Sequence, residues 1–325
     1  MKRFFRFFFS LPLFAALAAP KNRKVGGQAI MEGVMMRGKD AVSWAVRKSD
    51  DEVVVEQEKF ISLSKKLKVF SWPLIRGTVS LFESMGIGFR ALSRSAEILE
   101  EEQKKKDEAE GKTVKEKSKT GEKIASVFSL GISLAIAFGV FMYLPMWILS
   151  QFVPKESALL FNTLSGALRI MFFLLYLIAI SFWKEIRRVF EYHGAEHMAI
   201  FAFEDYKTLT VENMRNYTTY HPRCGTSFLF LVGIICILLF AVVDALYIHF
   251  FGPYPIVLTR FAVHITLIPI ISGTSFEVLK LSDKYQHVPI VGLLIKPGLW
   301  LQKITTKPPD DSQLEVAARA LEAVI

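Results

Sequence analysis

The sequence is poor in cysteine, with only Cys224 and Cys236 in 325 residues. Because Cys236 lies inside an apolar run, we expect no disulfide framework. The glycine-punctuated stretch 26–38 lacks the Gly-Lys-Ser/Thr ending of a phosphate-binding loop, which excludes that kind of nucleotide site. The sequence also contains no internal repeat, which excludes an architecture of stacked repeats.

Apolar residues dominate the composition. Hydrophobic residues make up 52% of the chain, 28 residues are Phe, and the mean hydropathy is +0.33, which is high for a soluble protein. The net charge is +9, but the basic residues lie largely beside apolar runs, as expected for segments that face an anionic inner leaflet. The composition therefore predicts the lipid bilayer as a partner and no nucleic acid.

Four apolar segments are long enough to cross a hydrocarbon core, which needs about 20 residues. They are residues 124–152, 158–183, 227–251 and 255–273. Basic residues flank these segments on one side, whereas the loops 153–157 and 252–254 on the other side hold only Lys155. By the positive-inside rule, we expect a multi-pass protein of the cytoplasmic (inner) membrane with both termini in the cytoplasm.

The predicted fold class is an α-helical polytopic membrane protein of about four transmembrane helices with a small α+β N-terminal cytoplasmic region. The expected boundaries are 1–24, 25–100, 101–123, 124–279 and 280–325. The first segment resembles a signal peptide, with an interfacial aromatic segment as the alternative. The third is dense in charge, which indicates a solvated linker or an exposed helix.

Local patterns predict the elements within these regions. Residues 41–47 and 53–60 have strand-like composition and indicate a β-hairpin, followed by a helix from 74 to about 99. Residues 288–301 are apolar but broken by Pro and Gly, which is typical of a re-entrant or interfacial segment. The last segment, 313–325, has apolar residues at helical spacing and is predicted to be a docking helix.

A short histidine motif lies in the predicted cytoplasmic loop 184–225. It reads H-x-x-E-H, with His193, Glu196 and His197 in the three fixed positions. On a helix, residues four apart lie on one face, so His193 and His197 could bind one metal ion. The spacing is that of the inverted zinc hydrolases, in which Glu196 would be the general base that activates water.

A second pair of metal-ligand types, His221 and Cys224, lies in the same loop just before the third span. If both join His193 and His197 around zinc or another divalent transition metal, the site is closed and structural. If one does not, a position remains open, as catalysis requires. Two alternatives stay open: the histidines bind headgroups or backbone, or Cys224 is a nucleophile paired with His221.

Three further residues, from this loop and from the end of the fourth span, are candidates for the same site. Glu204 lies on the helical stripe of His193 and His197 but roughly 10 Å further along, so it either supports the ligands or belongs to a distinct site. Glu277, at the predicted cytoplasmic end of the fourth span, is a candidate extra ligand or base, with helix-end solvation as the alternative. Arg223 could face an anionic group of a substrate.

Other charged residues have two interpretations each. Glu32 and Arg37 could lie at a site on a tight loop, with Arg37 facing an anionic substrate, although a strand and turn packed for structural reasons is favoured. Asp244 and Arg260 lie inside predicted spans, where ionisable residues suggest function by default. We expect them to form a structural ion pair rather than a relay.

Several blocks of the sequence resemble one known family. The blocks are 26–38, 193–197, 221–228, 272–277, 296–302 and 307–317. They resemble, in order, those of the YqhQ-like family of bacterial membrane proteins of unknown function. The resemblance implies a membrane location and, since the family is often labelled a predicted metal-dependent enzyme, a metal ion; it supplies no substrate. The chain departs from the family in its aromatic segment before Lys21 and at Met198, where a Lys often follows the histidine motif.

The leading hypothesis is an integral membrane protein with a cytoplasm-facing metal site, acting as a metal-dependent hydrolase. The alternative is a structural or assembly factor whose metal is a closed clamp without catalysis. A small transporter that uses Asp244, Arg260 and His264 ranks lower, because four spans give little room for a pathway.

Overall fold

The computed structural model of the protein describes residues 25–111, 119–154, 157–284 and 288–325. The predicted N-terminal segment 1–24, whether signal-like or interfacial, lies outside these residues. So does part of the charged region, at 112–118.

The N-terminal region is a four-stranded antiparallel sheet whose strands follow each other in sequence order. The strands are β1 (Gly26–Ile30), β2 (Gly33–Arg37), β3 (Ala41–Arg47) and β4 (Val53–Lys59). The predicted hairpin is the β3–β4 pair, and the strand and turn favoured for residues 26–38 are β1 and β2. Glu32, in the turn between them, has a φ of 48°, in the left-handed region used by tight hairpin turns.

Both faces of this sheet are covered by helices, which explains why β2 and β3 are buried at consecutive positions. One face packs against α2 (Ile75–Ala109) through side chains that include Met35 and Trp44. The other face packs through Val34 and Met36 against helices from the middle and end of the chain.

The helix α2 is preceded by a short helix, α1 (Leu63–Lys66), and a 3₁₀ turn (Lys68–Ser71). It continues ten residues beyond its predicted end near 99, through the charged run to Ala109. The ion pairs Glu100–Lys104 and Glu102–Lys106, each four residues apart, support this exposed end. This part of the charged region is therefore an exposed helix, one of the two forms expected.

Among the described residues, three helical segments are long and apolar enough to cross a bilayer: Val127–Leu149, Ala158–Ser181 and Leu229–Phe251. The first comprises α3 (Lys119–Phe138), a π-helical turn (Gly139–Tyr143) and α4 (Leu144–Leu149); the others are α5 (Ala158–Ser181) and α8 (Gly225–Phe251). The predicted fourth span is a pair, α9 (Val257–Thr266) and α10 (Ile268–Lys284), bent by 48°. It qualifies if the bent pair is counted as one span.

The remaining helices connect the apolar bundle to the sheet. They are α6 (Lys184–Glu204), α7 (Val211–Met214), α11 (Pro289–Thr305) and α12 (Asp311–Glu322). The segment predicted to be re-entrant or interfacial is α11, a helix with Pro297 inside it that packs against α8. The predicted docking helix is α12, which begins with a capping box at Asp310 and Gln313.

The end of the chain closes onto its beginning. Ser43 of β3 donates a hydrogen bond to the carbonyl oxygen of Ala320, and Arg47 forms an ion pair with Glu315 at 2.6 Å. The helix α6 lies in the same core, packed against β1, β2 and α12. The H-x-x-E-H motif is thereby held between the sheet and the C-terminal tail.

Candidate metal centre

The predicted helix around the histidine motif is α6, and it places His193 and His197 side by side. Their ring centroids are 4.5 Å apart. Cys224, the N-cap of α8, brings its sulfur to 3.2 Å from Nε2 of His193. The three candidate ligand atoms of His193, His197 and Cys224 all lie within 4.8 Å of one another. His197 and Cys224 are buried, so this cluster of two imidazoles and one thiol is largely shielded from water.

The other nitrogen of each histidine is held by a backbone carbonyl. Nδ1 of His193 is 2.8 Å from the oxygen of Thr305, and Nδ1 of His197 is 2.5 Å from the oxygen of Thr219. A carbonyl oxygen can only accept, so each Nδ1 must carry a proton and donate it. In its neutral form each imidazole therefore has its lone pair on Nε2. Such outer hydrogen bonds, which orient the ring and select the tautomer, are typical of metal-binding histidines.

Glycine at position 194 allows the C-terminal segment to lie directly on α6. A Cβ at Gly194 would overlap the carbonyl oxygen of Lys307. The backbone N–H of Lys307 donates to the oxygen of Phe190 at 2.9 Å. This close approach positions the neighbouring Thr305 carbonyl against His193.

The surroundings of Cys224 favour its thiolate, the form that binds metals. Burial by itself raises the pKa of this thiol, but the neighbouring His197 imidazole and the hydrogen bonds from Thr226 outweigh it, so that the net pKa is lowered. The sulfur accepts from the backbone N–H of Thr226 at 3.5 Å, at the N-terminus of α8. A helix N-terminus stabilises negative charge in the same way.

Glu196 lies next to the cluster on the side of the sheet. The side chain of Glu196 is buried and packs directly against Gly27 of β1. A Cβ atom added to Gly27 would lie only 2.7 Å from Cγ and from Oε1 of Glu196. Burial raises the pKa of Glu196 to about 8, and nearby His193 partly opposes this. A divalent cation beside the carboxylate would lower the pKa further by electrostatic attraction.

His221 lies beside the group of three candidate ligands without belonging to it, with its ring centroid 5.6 Å from that of His197. Its Nδ1 accepts from the backbone N–H of Arg223 at 3.2 Å, and its Nε2 lies 3.6 Å from the carboxylate of Glu204. Arg223 forms an ion pair with the same carboxylate. Glu204 is thus the centre of a neighbouring cluster with His221 and Arg223.

Gln302 of α11 holds the backbone of His221 from both sides. The N–H of His221 donates to Oε1 of Gln302, and Nε2 of Gln302 donates to the oxygen of His221, each at 2.8 Å. This pair of bonds positions the turn that leads into Cys224.

The other candidate residues are engaged elsewhere in the fold. Glu277 binds Arg76 of α2 through both of its carboxylate oxygens, and Glu32 binds Arg188 of α6 in the same bidentate manner. Arg37 lies 3.4 Å from Glu83. These contacts join the sheet and α2 to their neighbours and do not bring the three residues into the His193–His197–Cys224 cluster.

Inside the bundle, Asp244 and Arg260 form the expected ion pair, at 2.7 Å. The carboxylate of Asp244 also accepts hydrogen bonds from Asn162, Tyr254 and His264. The pair is therefore part of a larger buried network than the sequence indicated.

Thr219, Thr305, Gln302 and Gly27 support the site but were not predicted as site residues. Thr219 and Thr305 act through backbone carbonyls, which carry no signal in the side-chain sequence. Gln302 and Gly27 lie inside blocks shared with the family, and that was the only signal that could have pointed to them.

Comparison with known proteins assigns the family. The family described as "Protein of unknown function (DUF1385)" matches residues 72–325. The chain belongs to this family. Within it, the chain is 32% identical over 313 residues to "Uncharacterized protein YqhQ" of Bacillus subtilis (strain 168), covering 92% of each protein. No solved structure matches the chain. Membership of this DUF1385 family agrees with the resemblance found in the sequence.

Proposed function

We propose that the protein is a metal-dependent hydrolase of the cytoplasmic membrane whose metal is held by His193, His197 and Cys224. The observation that carries this proposal is the pair of carbonyl contacts at the two Nδ1 atoms. Because both protons are committed to Thr305 and Thr219, both Nε2 lone pairs and the thiolate are available to one ion.

The chemistry of the donor set fits zinc. Thiolate and imidazole ligands suit Zn²⁺, whereas Mg²⁺ and Ca²⁺ prefer oxygen ligands. Three protein ligands are typical of catalytic zinc sites, in which a fourth position is left for water or substrate. The contacts of His221 with Glu204 and Arg223 favour this open arrangement over the closed one.

When bound, the cation would supply a Lewis acid that polarises a carbonyl group and makes water more acidic. Glu196 would take the proton of the attacking water onto its carboxylate and return it to the leaving group. The burial of Glu196 against Gly27 keeps bulk water away from that proton. Arg223 balances the charge of Glu204 and holds the neighbouring cluster together.

Metal analysis of the purified protein tests the binding part of the proposal. We expect about one zinc per chain in the parent and a loss of most of it in a His193→Ala, His197→Ala double variant. The matched control is His249→Ala, because His249 lies at the far end of α8 and contacts Phe250 rather than the cluster. Equal metal content in all three proteins would refute the metal site.

A Glu196→Gln variant separates catalysis from scaffolding. It keeps the size of the side chain but cannot accept a proton as a carboxylate does. We expect it to retain zinc and to fail to replace the wild-type gene in a strain that lacks it. Full replacement by this variant would contradict hydrolysis and leave the metal as a clamp.

One observation favours that second candidate, a structural or assembly factor. The cluster joins α6, the start of α8 and the end of α11, which are distant in sequence. An ion there would tie α6 directly to the start of α8, and through the hydrogen bond between His193 and Thr305 also to the end of α11, as structural zinc sites tie segments together.

We also infer the orientation from the distribution of basic residues. A cysteine placed at Ser157 is expected to react with an impermeant thiol reagent from outside the cell, and one placed at Asp50 in the β3–β4 turn only after permeabilisation. The reverse pattern would invert the proposed topology. Labelling of the parent protein measures the background reaction of the native Cys224 and Cys236.

A further inference from the structure

A cavity of about 300 Å³ lies between α5, α8 and α10, away from the histidine cluster. Its walls are mostly apolar, with side chains such as Ile237, Phe240 and Ile271. Arg169 and Ser272 are the charged and hydroxyl-bearing residues in this lining. Ligand sites of small molecules have this character: an apolar volume of about 300–1,000 Å³ with a few polar groups that orient the ligand.

The charges inside the bundle do not balance. Apart from Glu277 and Lys280 near the end of α10, the charged residues of the candidate spans are Arg169, Asp244 and Arg260. Glu277 is already bound to Arg76. The bundle thus holds two arginines and only one other carboxylate, that of Asp244, and protonation of His264 would only increase the positive excess. A buried cation is costly unless an anion accompanies it.

Asp244 cannot serve both arginines, because its acceptor sites are occupied. Oδ2 accepts from Arg260 and Asn162, each at 2.7 Å, and Oδ1 accepts from Tyr254 and His264, each at 2.9 Å. A carboxylate offers about four lone-pair sites. All of them are used without Arg169.

The edge of Arg169 that binds carboxylates is the one left without a partner. Its Nε and Nη2 are buried and have no hydrogen-bond acceptor among the residues that the structure describes. Elsewhere in the protein, other arginines use this Nε–Nη2 edge to bind a carboxylate. The pairs include Arg76–Glu277, Arg94–Glu56, Arg188–Glu32 and Arg215–Asp311. The oxygen of Ser272, on another wall of the same cavity, is likewise buried without a partner in the described part of the chain.

We propose that this cavity binds a single-chain carboxylate amphiphile of the fatty-acid type, with its carboxylate on Arg169 and its acyl chain along the apolar walls. One carboxylate supplies the one negative charge that the bundle lacks, in the bidentate geometry that a guanidinium favours. The volume suits one chain better than the two of a phospholipid. Because Nε and Nη2 have no accessible surface, the flexible Arg169 side chain must turn toward the cavity to receive the head group.

Binding of a fluorescent polyene fatty acid to the purified full-length protein in a non-ionic detergent tests this assignment. We expect saturable binding that dodecanoate reverses. Dodecanol, which lacks the negative charge, should be at least about 10-fold less effective as a competitor. Arg169→Gln should weaken binding by about 10- to 100-fold. Arg169→Lys should fall in between, since it keeps the charge but loses the fork.

Filling the cavity gives an independent arm with a matched control. Gly233 lines the cavity, and a Cβ there would meet Ile170 only at 3.9 Å, so Gly233→Leu adds bulk into free space. It should reduce binding of the fluorescent acid at least about 10-fold, since the acyl chain loses its volume. Gly131→Leu adds the same bulk to α3, where nothing lies within 4 Å of a new Cβ, and should leave binding unchanged.

Three results would overturn the proposal: no saturable binding by the parent, equal displacement by dodecanol, or unchanged affinity in Arg169→Gln. Displacement by phosphatidylglycerol but not by dodecanoate would overturn the fatty-acid assignment specifically. Ser272→Ala, expected to weaken binding about 3- to 10-fold through loss of one hydrogen bond, keeps the test decisive if Gly233→Leu does not fold. The zinc content of the variants should stay that of the parent, because the cavity and the histidine cluster share no lining residue.

Discussion

The protein contains two buried polar clusters that differ in how their hydrogen-bonding groups are paired. Around Asp244, four donors from Asn162, Tyr254, Arg260 and His264 saturate one carboxylate. Around Cys224, Nδ1 of each of two histidines donates a hydrogen bond to a backbone carbonyl, and the Nε2 lone pairs are left on the side of the thiol. In the first cluster the carboxylate itself is saturated by donors of the chain, although Nη2 of Arg260 and Nδ1 of His264 lack a partner among the described residues. In the second cluster three candidate ligand atoms lie within 4.8 Å of one another. A saturated carboxylate indicates architecture, and convergent acceptors indicate a ligand.

The largest effect that would test this contrast is expected at Asp244. Replacing it by Ala leaves Arg260 buried without its anion, so we expect a loss of about 3–5 kcal/mol in the free energy of unfolding in detergent. The exposed Asp50, changed to Ala, should stay within about 0.5 kcal/mol of the parent. Similar small losses at both positions would mean that the Asp244 network is not structural.

The histidine cluster should respond to zinc instead. With free zinc at about 100 times its dissociation constant, we expect the parent to gain about 2.7 kcal/mol of stability, because the ion binds only the folded chain. The His193→Ala, His197→Ala protein should gain little, whereas His249→Ala, which leaves the cluster intact, should gain as much as the parent. Thermal unfolding with and without a chelator measures the difference. An equal zinc response in all three proteins would remove the distinction between the two clusters.

A smaller effect is expected from the backbone that orients the ligands. In Gly194→Ala, the new methyl group pushes against the carbonyl of Lys307 and shifts the Thr305 carbonyl away from His193. We expect zinc affinity to fall by about 10- to 100-fold, the usual cost of losing a ligand's outer hydrogen bond. The control is Gly86→Ala in α2, where nothing lies within 4 Å of the new Cβ. A Gly194→Ala protein with the affinity of the parent would show that the carbonyl contact does not orient the ligand.

The smallest effect concerns Glu32 and Arg188, which the structure pairs at the edge of the sheet. Both side chains are partly exposed, at 30% and 39%, so their coupling in a double-mutant cycle should not exceed about 1 kcal/mol. Zinc content should not change in Glu32→Ala. A loss of zinc in this variant would return Glu32 to the site and weaken the contrast between scaffold and ligand residues.

Much of the architecture follows from local sequence patterns. The apolar runs predicted the helices that are long and apolar enough to cross a bilayer, three of them or four if the bent pair is one span. The strand-like composition of 41–47 and 53–60 predicted a hairpin, and the H-x-x-E-H spacing predicted one helical face. These predictions succeed because hydrophobic length and residue period act within one element. The early end predicted for α2 shows the limit, since alternating charges were compatible with linker and helix alike.

The site was only partly predictable for a related reason. Residue types suggested His221 as a fourth ligand, but its ring faces Glu204 instead. The position of the His221 ring depends on Gln302, which is 81 positions away and forms two hydrogen bonds with the His221 backbone. Such pairings depend on long-range packing, which no local pattern encodes.

By itself, the sequence determined how many segments can enter a bilayer, and which residue types are available to bind an ion, because hydrophobicity and ligand chemistry belong to the residues themselves. Only the tertiary structure decided which imidazole nitrogens carry protons, that Cys224 and not His221 joins the histidine pair, and that Arg169 is left without an anion among the described residues of the bundle. These outcomes depend on hydrogen-bond partners that come from distant parts of the chain, and a proton or a charge is placed by its neighbours in space rather than in sequence.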